Sequence, residues 1–531
     1  MTGRDQRNDS PARGRTGQDD VFAFLGEASS YEPPPEEIKR IDTHAAVVFL
    51  AGDFAYKVKR AVHLAYLDFS TLEKRRAVCE REAEINRKTA PGLYLGVVPI
   101  VRKGDGALAI GGKGEPVEWA VKMRRFAQAD LFDRLAERHA LPLGLMPPLA
   151  AKIADMHAKA AKIRGTDGTE SMRRVAGSTT GALAGAPPLL DADAVKDLTR
   201  AMHEVLKSRS ALLDARARKG YVRRCHGDLH LRNIVLIGDE PVLFDAIEFD
   251  DRLATVDILY DLAFLLMDLW HQGLRHHANV LFNAYLRRPE TKPPLAALEG
   301  LALLPLFLAC RAAVRAMVTL DRLAVVTARD REDAIRELGE FFTLAQRFLH
   351  PGAPQLIAVG GLSGTGKSTL AAGLAPDIGA APGAFVVRSD IERKRLAGVS
   401  MTERLSAEHY SAAATGRVYR ALNAKAQAAL TAGHAVILDA VFARENQRRR
   451  AEEVARKAGV PFTGLWLEAP ERTLVKRVGS RKGDASDADA AIVRKQLEYE
   501  TGMIGWRKVD AGGTPEQVRA RAAEMLCSDQ S

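Results

Sequence analysis

Two groups of residues in this 531-residue chain have types and spacings suited to handling phosphate. Gly361, Gly366, Lys367 and Ser368 fill every fixed position of G-x-x-x-x-G-K-[ST]. Gly361, Gly364 and Gly366 free the backbone to turn successive N–H groups onto phosphate oxygens at a helix N-terminus. Lys367 would neutralise the β and γ phosphates of a nucleotide, and the Ser368 hydroxyl would sit on Mg²⁺. The nucleotide-binding run is therefore Gly361, Ser363, Gly364, Thr365, Gly366, Lys367, Ser368 and Thr369, with ATP and Mg²⁺ as the expected ligands. The second group is Asp228, Asn233 and Asp245. Residues 234–237 and 242–244 read as short strands joined by a four-residue turn, 238–241. A regular hairpin would set Ile234 opposite Asp245, making Asn233 and Asp245 neighbours whose side-chain oxygens could hold Mg²⁺. Asp228, five residues before Asn233, would accept a proton from an attacking hydroxyl.

The elements that must position these residues differ between the two halves. Residues 356–359 form a strand before the glycine turn, and a helix opens at Thr369. Further strands at 385–388, 435–438, 463–467 and 506–509 alternate with helical patterns, which implies a parallel sheet with ligands at its carboxyl ends. Ser389, Asp390, Asp439 and Glu468 gain weight from standing there. Pro351, Gly352, Ala353 and Pro354 mark a boundary. In the first half, residues 45–50 and 54–59 read as a hairpin, with Lys57 and Lys59 on one face. A helix over 70–88 has Ser70 as N-cap, Glu73 completing a capping box, Leu72, Val78 and Ile85 as its apolar side, and Glu80, Glu82 and Glu84 in solvent. Strands follow at 94–101 and 117–123, helices over 129–162, and a Gly, Thr and Ala-rich loop over 165–188. Helical patterns at 257–274 and 298–318 would build a larger lobe, with most of Asp250, Asp251, Asp257, Asp261 and Asp268 as caps, anchors or solvated groups and one or two of them as the lining of a cationic substrate pocket. Residues 1–30 read as a flexible tail.

With 47% hydrophobic and 27% charged residues the chain is an ordinary globular protein, and its formal charge of +10 suits anionic partners. Only 6% of residues are aromatic, which gives little support to extensive single-strand nucleic-acid binding. Cys79, Cys225, Cys310 and Cys527 lie far apart, against a zinc site or disulfide framework, and a reducing cytoplasm is the expected compartment. The N-terminus carries no signal-peptide pattern. Residues 301–310, the most apolar segment, precede Arg311 and Arg315 and read as a core helix, so no membrane partner is expected.

The run His226, Gly227, Asp228 and Asn233, followed by a strand ending in Asp245, resembles the catalytic loop of the aminoglycoside phosphotransferase family, distant relatives of protein kinases. The resemblance covers roughly residues 31–350. It implies that Asp228 is the catalytic base, that Asn233 and Asp245 are metal ligands, and that His226 and Gly227 shape the loop. It also implies that Lys57 grips the α and β phosphates with Glu82 as its helix partner, Lys59 and Glu84 being the alternates, and that residues 118–126 are the hinge that meets adenine. One departure is the lack of G-x-G-x-x-G between Ile38 and Leu50. The second half resembles small P-loop kinases such as gluconate kinase, the zeta-toxin group and the 5′-hydroxyl polynucleotide kinases. That likeness makes Asp390 the acceptor-activating base, Arg393 a substrate or phosphate contact, and Asp439 a Mg²⁺ ligand. Arg472 and Arg477 lead into residues 479–489, which contain Arg481 and resemble the mobile lid of these kinases, with Arg477 and Arg481 suited to the transferring phosphoryl group.

The whole chain resembles bacterial proteins described as bifunctional aminoglycoside phosphotransferase and ATP-binding protein. The implied fold is an α+β bilobal protein-kinase-like domain over 31–350, followed by an α/β P-loop domain with a parallel sheet over 355–531. The implied activity is ATP-dependent phosphoryl transfer to a small-molecule hydroxyl. A nucleotide-controlled binding module with a degenerate kinase-like domain is the rival, and a nucleic acid with a free 5′-hydroxyl is a less favoured partner. The sequence is silent on oligomeric state.

Overall fold

The computed structural model describes residues 17–43, 45–64, 67–186, 188–287, 294–323, 327–479 and 485–527. By packing, the chain forms two compact units. One comprises residues up to 134 with 226–228 and 232–254, and the other the remainder.

In the first unit an antiparallel sheet runs in the order Ile38–Asp42, Ala46–Ala51, Phe54–Lys59, Glu115–Arg124, Tyr94–Arg102, Leu108–Ile110. Alternation along Phe54–Lys59 decides which side chains reach the site, as expected from the hairpin. The chain enters this unit as a helix, Gly17–Leu25, where the sequence reads as tail. Val21, Phe22 and Leu25 are buried with Phe49 and Val58, so this short apolar run is part of the core. The next helix spans Leu72–Asn86 and is capped by Thr71, whose hydroxyl accepts from Lys74 N at 3.3 Å; Ser70 instead bonds Asp68. Its buried stripe is Arg75, Cys79, Glu82, Ala83 and Asn86, and not Leu72, Val78 and Ile85, which are half-buried. The helical period is as expected, but the inward face is polar because the sheet supplies the counter-ions: Glu118 meets Arg75 at 2.9 Å.

The hairpin after Asn233 differs in register from the expected one. Ile234 pairs with Leu243 and Ile237 with Glu240, so the turn is the two residues Gly238 and Asp239. Asp245 lies beyond the strand end, with φ of +60°.

The second unit is mainly helical up to residue 349, with one two-stranded antiparallel pair, Val222–Arg224 and Thr255–Asp257, and then α/β. Residues expected as a loop form the helix Gly168–Ala184, capped by Asp167, whose carboxylate accepts from Glu170 N at 2.8 Å. Met172, Ala176, Thr179, Thr180 and Leu183 are buried at helical spacing, and the Thr179 and Thr180 hydroxyls bond carbonyls of the preceding turn. Small residues that look like loop composition here allow close helix packing. The apolar stretch Ala297–Arg322 is long enough to cross a membrane by length and composition, but 67% of its most apolar window is buried inside the fold. Its helix Leu304–Arg322 packs on Ala328–Leu349 and Ile258–His271, as a core helix does. Asp257 forms a two-pronged pair with Arg216 at 2.7 and 2.8 Å, Asp261 meets His157 at 3.0 Å, and Asp268 accepts from Leu231 N at 2.9 Å.

All five strands expected in the second half are present, every pairing is parallel, and the order is Phe385–Arg388, Val436–Asp439, Leu356–Gly361, Phe462–Glu468, Arg507–Asp510. The central strand is wholly buried, and helices cover both faces. Arg388, Asp439 and the glycine turn after Gly361 therefore meet at one end of the sheet.

Candidate active sites

In the first unit Lys57 Nζ lies 2.9 Å from Glu82 Oε1 and 2.6 Å from Asp245 Oδ1. Glu82 is fully buried and takes both lysines of the strand, since Lys59 Nζ lies 2.5 Å from its other oxygen and 2.5 Å from Glu248. Glu84, the alternate partner, is exposed and pairs with Arg81. Burial works against the charge of Lys57, but Asp245 and Glu82 outweigh it and hold the ammonium well above the usual lysine range. Burial likewise opposes ionisation of Glu82, and the two lysines overcome it, pulling the carboxyl down to about 2. Asp245 is set by its backbone: its N–H donates to Tyr94 Oη at 3.1 Å and the next N–H to Asn86 Oδ1 at 2.9 Å.

Asn233 Nδ2 donates to both Asp228 O and Asp228 Oδ2 at 2.9 Å, and Phe244 N donates to Asn233 O at 3.1 Å. Asp228 and Asn233 are thus in direct contact, and Asn233 is tied to the residue before Asp245. His226 is 1% exposed with Nε2 2.9 Å from Phe244 O. Gly227 has φ of +85°, and a Cβ there would lie 3.0 Å from the side chains of Ala254 and Ile247. A cavity of about 650 Å³ borders the expected hinge at Arg124, Arg125, Phe126 and Gln128, with Lys39, Gly52 and Asp53 on its rim.

In the P-loop half Gly364 and Gly366 have φ of +88° and +91°, and a Cβ on Gly364 would lie 2.7 Å from Leu474 O. The helix Lys367–Leu374 opens from Gly366. Ser368 Oγ donates to Asp439 Oδ2 at 2.5 Å, and Arg388 Nε lies 3.2 Å from the same oxygen. Lys367 Nζ donates to Leu362 O at 2.9 Å. Burial, and then the Asp439 charge, push the Asp390 carboxyl above the usual aspartate range, against the pull of Arg388, Lys367 and a hydrogen bond with Ser486. The structure brings Asp439, Ser368, Lys367 and Asp390 together. The glycine conformations and this oxygen donor set fit a nucleotide with Mg²⁺.

Other expected residues sit differently. Ser363 N donates to Gln496 Oε1 at 2.7 Å, and the buried Thr365 hydroxyl bonds Leu362 O. Arg393 donates to His409 O at 2.5 Å and lies over the Tyr410 ring. Arg477 is held by Ala511 O at 3.0 Å and lines a cavity of about 290 Å³ with Gly364, Gly366, Thr369, Gly513 and Val518. Arg481 lies outside the described residues. Sequence reasoning missed Glu248, Arg388, Gln496 and Gly513, none of which stands in a recognisable spacing. It also missed Arg287, whose guanidinium is pushed down to about 10 by burial and then by Arg388.

The Phosphotransferase enzyme family model matches residues 100–299, and the AAA domain model matches residues 356–501. Fold and site together define a kinase-type protein, a phosphotransferase region of the kind found in protein-kinase relatives joined to a P-loop kinase-like region. The chain belongs to the family of fused aminoglycoside-phosphotransferase-like and AAA-type ATP-binding proteins, together with an uncharacterized protein of Mycobacterium tuberculosis strain H37Rv to which it is 31% identical over 494 residues, 91% of this chain and 94% of that one. An uncharacterized protein of Mycobacterium bovis matches with the same identity and coverage. Among solved structures, a choline/ethanolamine kinase family protein from Mesorhizobium loti is 16% identical, covering 62% of this chain and 100% of that one with a TM-score of 0.36. A sugar kinase from Janibacter sp. HTCC2649 is 22% identical, covering 33% of this chain and 94% of that one with a TM-score of 0.26.

Proposed function

We propose that the protein is an ATP-dependent kinase with two sites, each passing a phosphoryl group to a hydroxyl of a small molecule. The observation that carries this reading is Asp390, a carboxylate raised toward basicity and standing among Asp439, Arg388 and Lys367. Asp390 would take the proton of the acceptor hydroxyl while Lys367 and the loop N–H groups hold the phosphates. Ser368 and Asp439 would hold Mg²⁺, which supplies neutralisation of the phosphate charge. Asp228 has the corresponding role in the first site, with Asn233 orienting it at 2.9 Å. Lys57 there would exchange its contact with Asp245 for phosphate, freeing Asp245 to join Asn233 as an oxygen donor. Arg477, from its cavity wall, would border the nucleotide bound on the P-loop. The lack of G-x-G-x-x-G between Ile38 and Leu50 favours a second reading for the first half, ligand recognition without transfer.

Purified protein incubated with γ-labelled ATP and pooled metabolites separates these readings. Label on an acceptor supports transfer, whereas phosphate release alone supports the nucleotide-controlled module. Oligonucleotides with free 5′-hydroxyls are expected to stay unlabelled.

A further inference from the structure

The helix Arg275–Leu286 lies within the region matched by the phosphotransferase family, yet it is packed along an edge of the parallel sheet of the P-loop half. Phe385–Arg388 is the terminal strand of this sheet, so among the described residues one row of its backbone groups has no strand partner. Two asparagines, each 2% exposed, cover that row. Asn279 Nδ2 donates to Pro382 O at 3.2 Å and Ala384 O at 3.1 Å. Asn283 Nδ2 donates to Ala384 O at 3.1 Å, and its Oδ1 accepts from Val386 N at 2.7 Å. Four helical residues advance about 6 Å and two strand residues about 7 Å, so helix and strand rise in step. The next position on the same helix face is Arg287, which this register carries toward Arg388 at the carboxyl end of the strand, where ligands of parallel sheets bind.

Arg388, Asp439 and Glu392 act on the Arg287 charge, and Arg287 in turn acts on Lys425. The helix register thus sets Arg287 beside the strand end that carries Arg388, and Arg388 Nε lies 3.2 Å from Asp439 Oδ2 there. The carboxylates that neighbour Arg287 are already engaged: Asp439 with Ser368 at 2.5 Å and Arg388 at 3.2 Å, Glu392 with Lys425 and with Arg395 at 2.8 Å. The residue is half-buried, and its Nε is buried without a hydrogen-bond partner among the described residues. A cation at a strand end whose neighbouring carboxylates are already paired, and whose Nε is buried without a partner among the described residues, is suited to take an anion.

We propose that Arg287, carried by the phosphotransferase half, is the anion-binding residue of the acceptor pocket in the P-loop half, and that the acceptor there is an alcohol bearing a phosphate or carboxylate group. This rests on the P-loop half being a kinase site. It also means that the P-loop site is completed by the domain that precedes it.

The test uses the full chain saturated with Mg²⁺ and a non-hydrolysable ATP analogue, titrated calorimetrically with inorganic phosphate. Wild type is expected to bind phosphate, Arg287→Ala to bind it at least 10-fold more weakly, and Arg287→Lys, which keeps the charge, to fall between them. Phosphate uptake by Arg287→Ala equal to wild type, no uptake by wild type, or equal loss in both variants would each overturn the proposal. Failure of the underlying kinase reading looks different, because the analogue would then bind wild type and Lys367→Ala alike before any phosphate is added.

Discussion

Asp390 shows most directly how position makes chemistry. Because burial and Asp439 lift its carboxyl, the transfer rate of the second site should climb with pH along a limb whose apparent pKa lies above 3.8. Asp390→Asn should lose that limb and on the order of 10²–10⁴ in rate, measured as label transfer against pH. The same shift works against folding: above 3.8 the native carboxyl holds a proton that the unfolded chain has released, so stability falls as pH rises through the shifted range. Asp390→Asn should therefore raise the thermal midpoint near neutral pH while slowing transfer by that factor. Gly227 offers a structural counterpart, since alanine there would have to hold φ of +85° against Ala254 and Ile247. Gly227→Ala is expected to cost about 1–3 kcal/mol by denaturant titration. The residues of both sites were legible in the sequence because glycine turns, Lys367, Ser368, Asp228 and Asn233 stand at spacings that the chemistry itself imposes. Glu248, Gln496 and Arg287 were not, because each reaches its site only through tertiary packing.

At the scale of elements, strands were easier to read than helices. Buried parallel strands such as Leu356–Gly361 are continuous apolar runs, and their order alternates with helices. Helices misled in two places, one by its face and one by its existence. Leu72–Asn86 turns a charged stripe inward because Lys57, Lys59 and Glu118 await it, and Gly168–Ala184 uses small residues where packing is close. Neither counter-ions nor neighbouring helices can be read from a local window. The hairpin after Asn233 slipped by two positions because Gly238 takes φ of +61° and closes a shorter turn. His434 gives the packing of the P-loop half a measurable pH dependence. It is 1% exposed, and burial pulls its imidazole from 6.5 down to about 4 even though Nε2 bonds Gly383 O. Between those values the unfolded chain binds the extra proton, so stability is expected to drop by about 3 kcal/mol as pH falls from 6.5 to 4. His434→Asn should flatten that dependence in equilibrium unfolding measured over the same range.

For the whole molecule, the proline-bounded linker at residues 351–354 does not separate two independently packed bodies. Asn279 and Asn283 of the phosphotransferase region supply hydrogen bonds that the edge strand of the P-loop sheet would otherwise lack. Asn283→Ala leaves Val386 N without its acceptor, and a loss of about 1–3 kcal/mol is expected from the P-loop half. Packing of this kind is compatible with separate chemistry. Lys367→Ala should abolish turnover at the second site and leave any turnover of the first intact, whereas loss of both together would show that the sites depend on one another.

The central claim is that one polypeptide holds two pockets for a magnesium nucleotide. Calorimetric titration of the full chain with ATP in the presence and absence of Mg²⁺ tests it most directly, run on wild type, Lys57→Ala and Lys367→Ala. Two magnesium-dependent binding events per chain are expected, with each substitution removing a different one. A single event that survives Lys367→Ala unchanged, or uptake indifferent to Mg²⁺, would contradict it.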